Sequence, residues 1–198
     1  MKRFIAIVGL LMSALWLSQA TAAQPGKYVV KPVTEKKLKE LPSGPLYWRI
    51  ENFATLPQAQ AAAGPTSLAA EIEGKVWLFT LGPKGGSTPG GRTVTEIGPV
   101  APLRAPEYLL RINHGFGPPG SQTSVHTHPG SEVFYVLAGR VGQRTPHGVS
   151  HAEVGQSLTG HGADVPMQVF SAGTSDVSAL VMFVVDATRP FSSPAKMD

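Results

Sequence analysis

The sequence has no cysteine among its 198 residues. That excludes disulfide staples, a zinc–thiolate centre and cysteine catalysis. The fold must therefore be held by its core alone. No cysteine stands where a lipoprotein would carry its lipid. A concentrated basic footprint is also missing. Lys36, Lys37 and Lys39 approach one, but Glu35 and Glu40 break it, as on a solvated face. Nucleic-acid binding asks for clustered positive charge, and none is read here. The stretch Gly82–Gly91 holds five glycines and two prolines but lacks the Gly-Lys-Ser/Thr ending and following helix of a phosphate loop. It reads as a flexible surface loop. No internal repeat is found, so one domain is expected.

What is present begins with a leader-like pattern. Met1-Lys2-Arg3 is basic, Phe4 to Leu17 is uncharged and mostly apolar, and Ala20-Thr21-Ala22 is a small-x-small signal. This is the pattern of a secretory signal peptide over 1–23, with an apolar run too short for a comfortable membrane span. Cleavage is expected after Ala22 or Ala23. Taking Lys2 and Arg3 out of the formal charge of +4 leaves +2. The expected setting is secreted, in a bacterial periplasm, with no membrane association after cleavage.

Residues 24–66 read as an extended arm and a short helix. Pro25, Pro32, Pro42 and Pro45 punctuate the arm, and Tyr28-Val29-Val30 is suited to pairing with a sheet edge. A weak helix is predicted at 34–41 and a strand at Tyr47–Phe53. A short helix is predicted at 55–63, capped by Thr55, with Pro57 in its first turn and Gly64-Pro65 as its stop. A barrel is placed at 67–188. Ser67–Ile72 and Lys75–Leu81 form a hairpin about Glu73-Gly74, followed by Thr93–Ile97, Glu107–Asn113, Arg140–Thr145, Pro166–Ser171 and Val177–Asp186. The last of these is apolar on both faces, as a strand buried between two sheets would be. A tail at 189–198 packs through Phe191. Many short strands between Gly and Pro turns argue for an all-β sandwich or barrel.

The chemistry concentrates in Gly120–Gly139. His126 and His128 are two apart, so on extended backbone they share a face. Pro129-Gly130-Ser131 is a turn signal and Glu132-Val-Phe-Tyr-Val-Leu a strand signal. A hairpin would bring Glu132 back beside the histidines. Two neutral imidazoles and a carboxylate suit a divalent first-row metal with open positions. Phe134 and Val136 share the parity of Glu132 and should face the interior; Tyr135 should face the other way.

This stretch resembles the first motif of the cupin family: Gly, five residues, His-x-His, three or four residues, Glu, six residues, Gly. Gly120, His126, His128, Glu132 and Gly139 match at every spacing. The resemblance implies a double-stranded β-helix, or jelly-roll barrel, to which the N-terminal extended arm and one short helix read above are added. It also implies one divalent metal ion per chain (Fe, Mn, Ni, Zn or Cu) on His126, His128 and Glu132.

The family's second motif is degenerate. Its histidine would supply a fourth ligand, but Met167 stands there and Ser171 at the family's Asn. Three arrangements answer the gap. The three first-motif residues suffice alone; or Gln168 or His161 reaches in; or Met167 ligates through sulfur, which suits copper best. They are ranked in that order.

An exported metal-binding cupin follows, acting on a small organic molecule as a metal-dependent oxygenase or lyase, with Glu132 also able to carry a proton. The alternative is a non-enzymatic binding or structural module. A homodimer through the arm is a further expectation.

Overall fold

Branched and aromatic runs between Gly and Pro turns become strands in the computed structural model, which describes residues 26–197. The leader pattern at 1–23 lies outside the described residues. The strands β1 (Val29–Leu38) and β2 (Tyr47–Phe53) precede one helix, α1 (Leu56–Ala62). There follow β3 (Ser67–Ile72), β4 (Lys75–Gly82), β5 (Arg92–Ile97), β6 (Tyr108–Gly117), β7 (His126–Thr127) and β8 (Gly130–Ala138). The chain ends with β9 (Arg140–Thr145), β10 (Gly148–Glu153), β11 (Ser157–Thr159), β12 (Gln168–Ser171), β13 (Val177–Asp186) and β14 (Ser193–Pro194). The fold is all-β with antiparallel pairing and one short helix, as expected. Thr55 caps that helix, its hydroxyl accepting from the Gln58 amide at 3.4 Å.

The central sheet has the order β1-β6-β13-β8-β11, and its two faces bury different cores. On one side Leu110, Ile112, Val133, Leu180, Met182 and Val184 pack with Trp48, Ile50, Phe79 and Leu81 of the sheet β3-β4-β2-β5. On the other side Phe134, Val136, Val181, Phe183 and Val185 meet Val141 of β9 and Val169 of β12, within the sheet β10-β9-β12. β13 is accordingly buried on both faces along nearly its whole length. Tyr135 packs into the first core and Phe134 into the second, the parity expected.

Two expectations are corrected. The weak helix at 34–41 is instead strand as far as Leu38. β1 pairs with β6 from Val29 to Leu38, with an irregularity between Pro32 and Thr34. Glu35 there meets Arg111 at 3.6 Å, and Lys37 and Lys39 meet Glu107 at 3.3 and 2.9 Å. Charges that a helix would leave in solvent thus find partners across or beside the ladder. The loop at 82–91 is pinned rather than free. The buried Glu51 carboxylate accepts from the Thr88 amide (2.8 Å) and hydroxyl (2.6 Å) and pairs with Arg49 at 3.1 Å.

Candidate metal centre

His126 and His128 do not sit in a hairpin with Glu132. β7 pairs with β14 in the tail, and His126 exchanges backbone hydrogen bonds with Met167 at 2.9 and 2.8 Å. The His128 carbonyl accepts from the Asp164 amide. Glu132 lies on β8, opposite Phe183 of the central sheet. The turn at Pro129 joins the two segments, and pairing to three distant parts of the chain holds them. The sequence therefore brings together the right residues by a different ladder from the one expected.

The side-chain donors of His126, His128 and Glu132 all lie within 4.8 Å of one another. Each histidine is held from behind. Nδ1 of His126 lies 2.8 Å from the Ser124 carbonyl and Nδ1 of His128 lies 2.6 Å from the Phe191 carbonyl. A carbonyl only accepts, so both Nδ1 atoms carry the proton and both Nε2 lone pairs are free to ligate. An edge contact with Phe183 and a tilted contact with Phe191, with centroids 4.9 and 4.7 Å away, fix the His128 ring. Burial lowers the His128 pKa to about 4, with the Phe191 hydrogen bond opposing, so the ring is neutral at physiological pH. Its Nε2 is 3.7 Å from Glu132 Oε2. With a neutral imidazole that contact is not an ion pair.

Glu132 is enclosed, and burial raises its pKa to about 8 against the opposing hydrogen bond from Gln143. A carboxylate in such a place calls for a cation. The donor set fits a divalent metal on these grounds: two neutral imidazoles of fixed tautomer and a carboxylate deprived of water.

The other sequence candidates fall differently. Met167 is buried beside the group, and the Gln143 amide that donates to Glu132 Oε1 at 2.8 Å also lies 3.7 Å from its sulfur. Gln168 is turned away. Its oxygen accepts from Arg144 at 2.6 Å and its amide donates to the Thr123 carbonyl at 3.0 Å. His161 is exposed and stacks near His147, with centroids 4.9 Å apart, so it is not brought to the group.

Sequence reasoning gave no role in the site to Gln143, Asn113 or Tyr28. Gln143 shares the parity of the buried Val141, a signal that a polar side chain points inward on β9. The donors open onto a cavity of about 250 Å³ whose walls include Tyr28, Asn113, Phe134, Val181, Phe183 and Phe191. Such a space takes a small, largely apolar molecule anchored by few polar groups.

No protein-family model matches the sequence, and no curated protein matches it. Some solved structures resemble part of it. The DMSP lyase DddQ from Ruegeria pomeroyi is 20% identical over 43% of this chain and 43% of that one, with a TM-score of 0.38. A double-stranded β-helix protein from Klebsiella pneumoniae is 17% identical over 44% of this chain and 75% of that one, with a TM-score of 0.38. A cupin-like protein from Thermotoga maritima is 13% identical over 44% of this chain and 65% of that one, with a TM-score of 0.40. The match spans less than half the length of the DMSP lyases. The solved structures that this chain resembles include cupin and double-stranded β-helix proteins, the superfamily whose first motif Gly120–Gly139 resembles.

Proposed function

We propose that the protein is an exported metal-binding cupin that acts on a small organic molecule by metal-dependent oxidation or lyase chemistry. The observation that carries this reading is the convergence of the His126, His128 and Glu132 donors within 4.8 Å on the wall of an apolar cavity. One divalent ion, among Fe, Mn, Ni, Zn and Cu, would be held by the two Nε2 atoms and the carboxylate. When bound, it supplies Lewis acidity toward a substrate oxygen. The chain's own residues do the rest. Phe134, Val181 and Phe183 hold an apolar body and exclude water. The carbonyls of Ser124 and Phe191 fix the imidazole tautomers. Gln143 donates to Glu132 Oε1, which leaves Oε2 as the oxygen that would hold the ion, and Glu132 would carry a proton only on shifting off the metal.

Elemental analysis of natively purified protein tests the reading. About one equivalent of metal is expected, and it should be lost in His126→Ala and His128→Ala variants that keep the fold. Less than roughly a tenth of an equivalent after soaking with all five metals would sink it. The alternative, a non-enzymatic binding module, would then stand. It is favoured by Met167, a thioether where the second motif carries a histidine. A Glu132→Gln variant that keeps both metal and full turnover removes the proton-carrying role.

Export rests on the leader pattern at 1–23, and the mature N-terminus read by mass spectrometry tests it. A homodimer through the arm is supported by the edge position of β1 and by exposed Val29 and Val30. An unchanged solution mass after removal of 24–46 would count against it.

A further inference from the structure

The inner face of the central sheet presents its side chains in registered rows. Arg111, Phe183 and Glu132 form one; Asn113, Val181 and Phe134 the next; Gly115, Ala179 and Val136 the third. The third row is poor in bulk beyond its valine, and a residue from outside the sheet fills the space. Tyr28, just ahead of β1, lays its phenol over Gly115. A Cβ at Gly115 would stand 2.9 Å from the phenolic oxygen and 3.4 Å from a ring carbon, so a larger residue would have to displace the phenol.

The Tyr28 side chain is 4% exposed and lines the cavity onto which His126, His128 and Glu132 open. Among the described residues its buried hydroxyl has no hydrogen-bond partner. A buried hydroxyl left unpaired is costly, and a phenylalanine would fill the same space without that cost. Asn113 lines the same cavity. Arg111 Nε donates to its Oδ1 at 3.0 Å, which identifies the amide oxygen and leaves the NH₂ group uncommitted. The wall away from the metal ligands thus offers neutral donors, and among the described residues no lysine or arginine lines the cavity.

We propose that Tyr28 is the ligand-anchoring residue of this cavity, its hydroxyl donating to an oxygen of a small monoanionic 2-oxo- or 2-hydroxycarboxylate. The proposal rests on the metal-centre reading above, because another oxygen of the ligand occupies the centre. A divalent ion with the single Glu132 carboxylate leaves one net positive charge, and one carboxylate balances it. Arg111 lies behind this lining, over the Phe191 ring at 4.3 Å, and is paired with Glu35 at 3.6 Å, so a dianion would find no unpaired cation there. The volume of about 250 Å³ admits a ligand of a few carbons. Burial, with the charge of Glu132 adding to it, raises the Tyr28 pKa well above the ordinary phenol value, so the group donates as a neutral phenol.

The test uses the full mature chain loaded with nickel, its metal content measured first, and 2-oxobutanoate as the probe. Calorimetric titration should show binding to the wild type. Tyr28→Phe should weaken it on the order of 10-fold or more, the loss of one hydrogen bond to a charged group. Its metal content should be unchanged. The tyrosine ultraviolet difference spectrum on binding should be present in the wild type and absent in the variant. Without probe, the loaded variant should melt no lower than the wild type, since it loses an unpartnered hydroxyl. A lower melting temperature would mean the hydroxyl already serves the fold, and overturns the proposal. So does metal uptake with no probe binding, or with equal affinity in wild type and variant. Failure to take up metal would instead overturn the metal-centre reading, and this proposal with it.

Discussion

With no cation beside it, the Glu132 carboxyl titrates at about 8, far above its ordinary range, because burial penalises the charge more than Gln143 relieves it. At pH 7 the metal-free chain therefore holds a proton there that a bound divalent ion must displace. Metal binding at pH 7 should release about one proton per ion, read by calorimetry in buffers of different ionisation enthalpy, and apparent affinity should rise with pH up to about 8. The same shift acts on stability. A raised carboxyl pKa stabilises the fold fully below the unfolded value and loses that contribution as pH climbs to about 8. His128, lowered to about 4, acts in the opposite direction, losing stability as pH falls from its ordinary value to about 4. The two oppose each other over the mildly acidic range. From about 6.5 to 8 only Glu132 acts, so the melting temperature of the metal-free protein should fall there. Glu132→Gln should flatten that decline; a decline that survives the substitution would assign it elsewhere. His126, His128 and Glu132 were legible because one short motif carries all three. Tyr28, Asn113 and Gln143 were not, because Tyr28 and Asn113 meet at one cavity, and Gln143 reaches Glu132, only once the strands have paired.

Among the elements, the alternating strands were readable and the corners between them less so. Arg140–Thr145 reads as a return strand, yet β8 lies in the central sheet and β9 in the sheet β10-β9-β12. Gly139 is the corner where the chain changes sheet. Its φ is +67°, and a Cβ there would collide with the Asp176 carbonyl oxygen ahead of β13. The last glycine of the motif is thus required twice, by conformation and by close approach. Gly139→Ala should cost about 2–4 kcal/mol from strain and overpacking, a fall in melting temperature of roughly 5–15 °C for a chain of this size. Chemical denaturation of the metal-free protein measures it without interference from metal linkage. A cost below about 1 kcal/mol would show that the corner relaxes. The start of β1 pairs with a sheet edge as expected, but its second half was misread, for the opposite reason. An edge strand with one face in solvent needs no apolar alternation, and Glu-Lys-Lys-Leu-Lys-Glu carries a helix-like composition. Only its partners on and beside β6 make it a strand.

At the scale of the whole molecule, the central sheet separates a core that serves stability from one that also serves the site. Val177–Asp186 was legible as a strand buried on both sides, and neighbouring residues on it report on the two layers. Met182 faces Trp48, Ile50 and Phe79 in the core shared with the sheet β3-β4-β2-β5. Phe183 faces the cavity, its ring centroid 4.9 Å from those of both His128 and Phe191. Both are fully or nearly fully buried, so truncating either to alanine should cost about 2–5 kcal/mol. Their effects on metal should part. Met182→Ala leaves every residue around His126, His128 and Glu132 in place and should keep metal affinity within about threefold, since well-separated sites act nearly independently. Phe183→Ala removes a wall that orients the His128 ring and admits water to the carboxylate, and should weaken metal about 10-fold or more, as loss of outer-shell support does. Urea denaturation of the metal-free variants supplies the first quantity and metal titration at matched pH the second. Equal losses of metal affinity in the two variants would mean that the sheet transmits strain between its faces, and that the stability core and the site core are one.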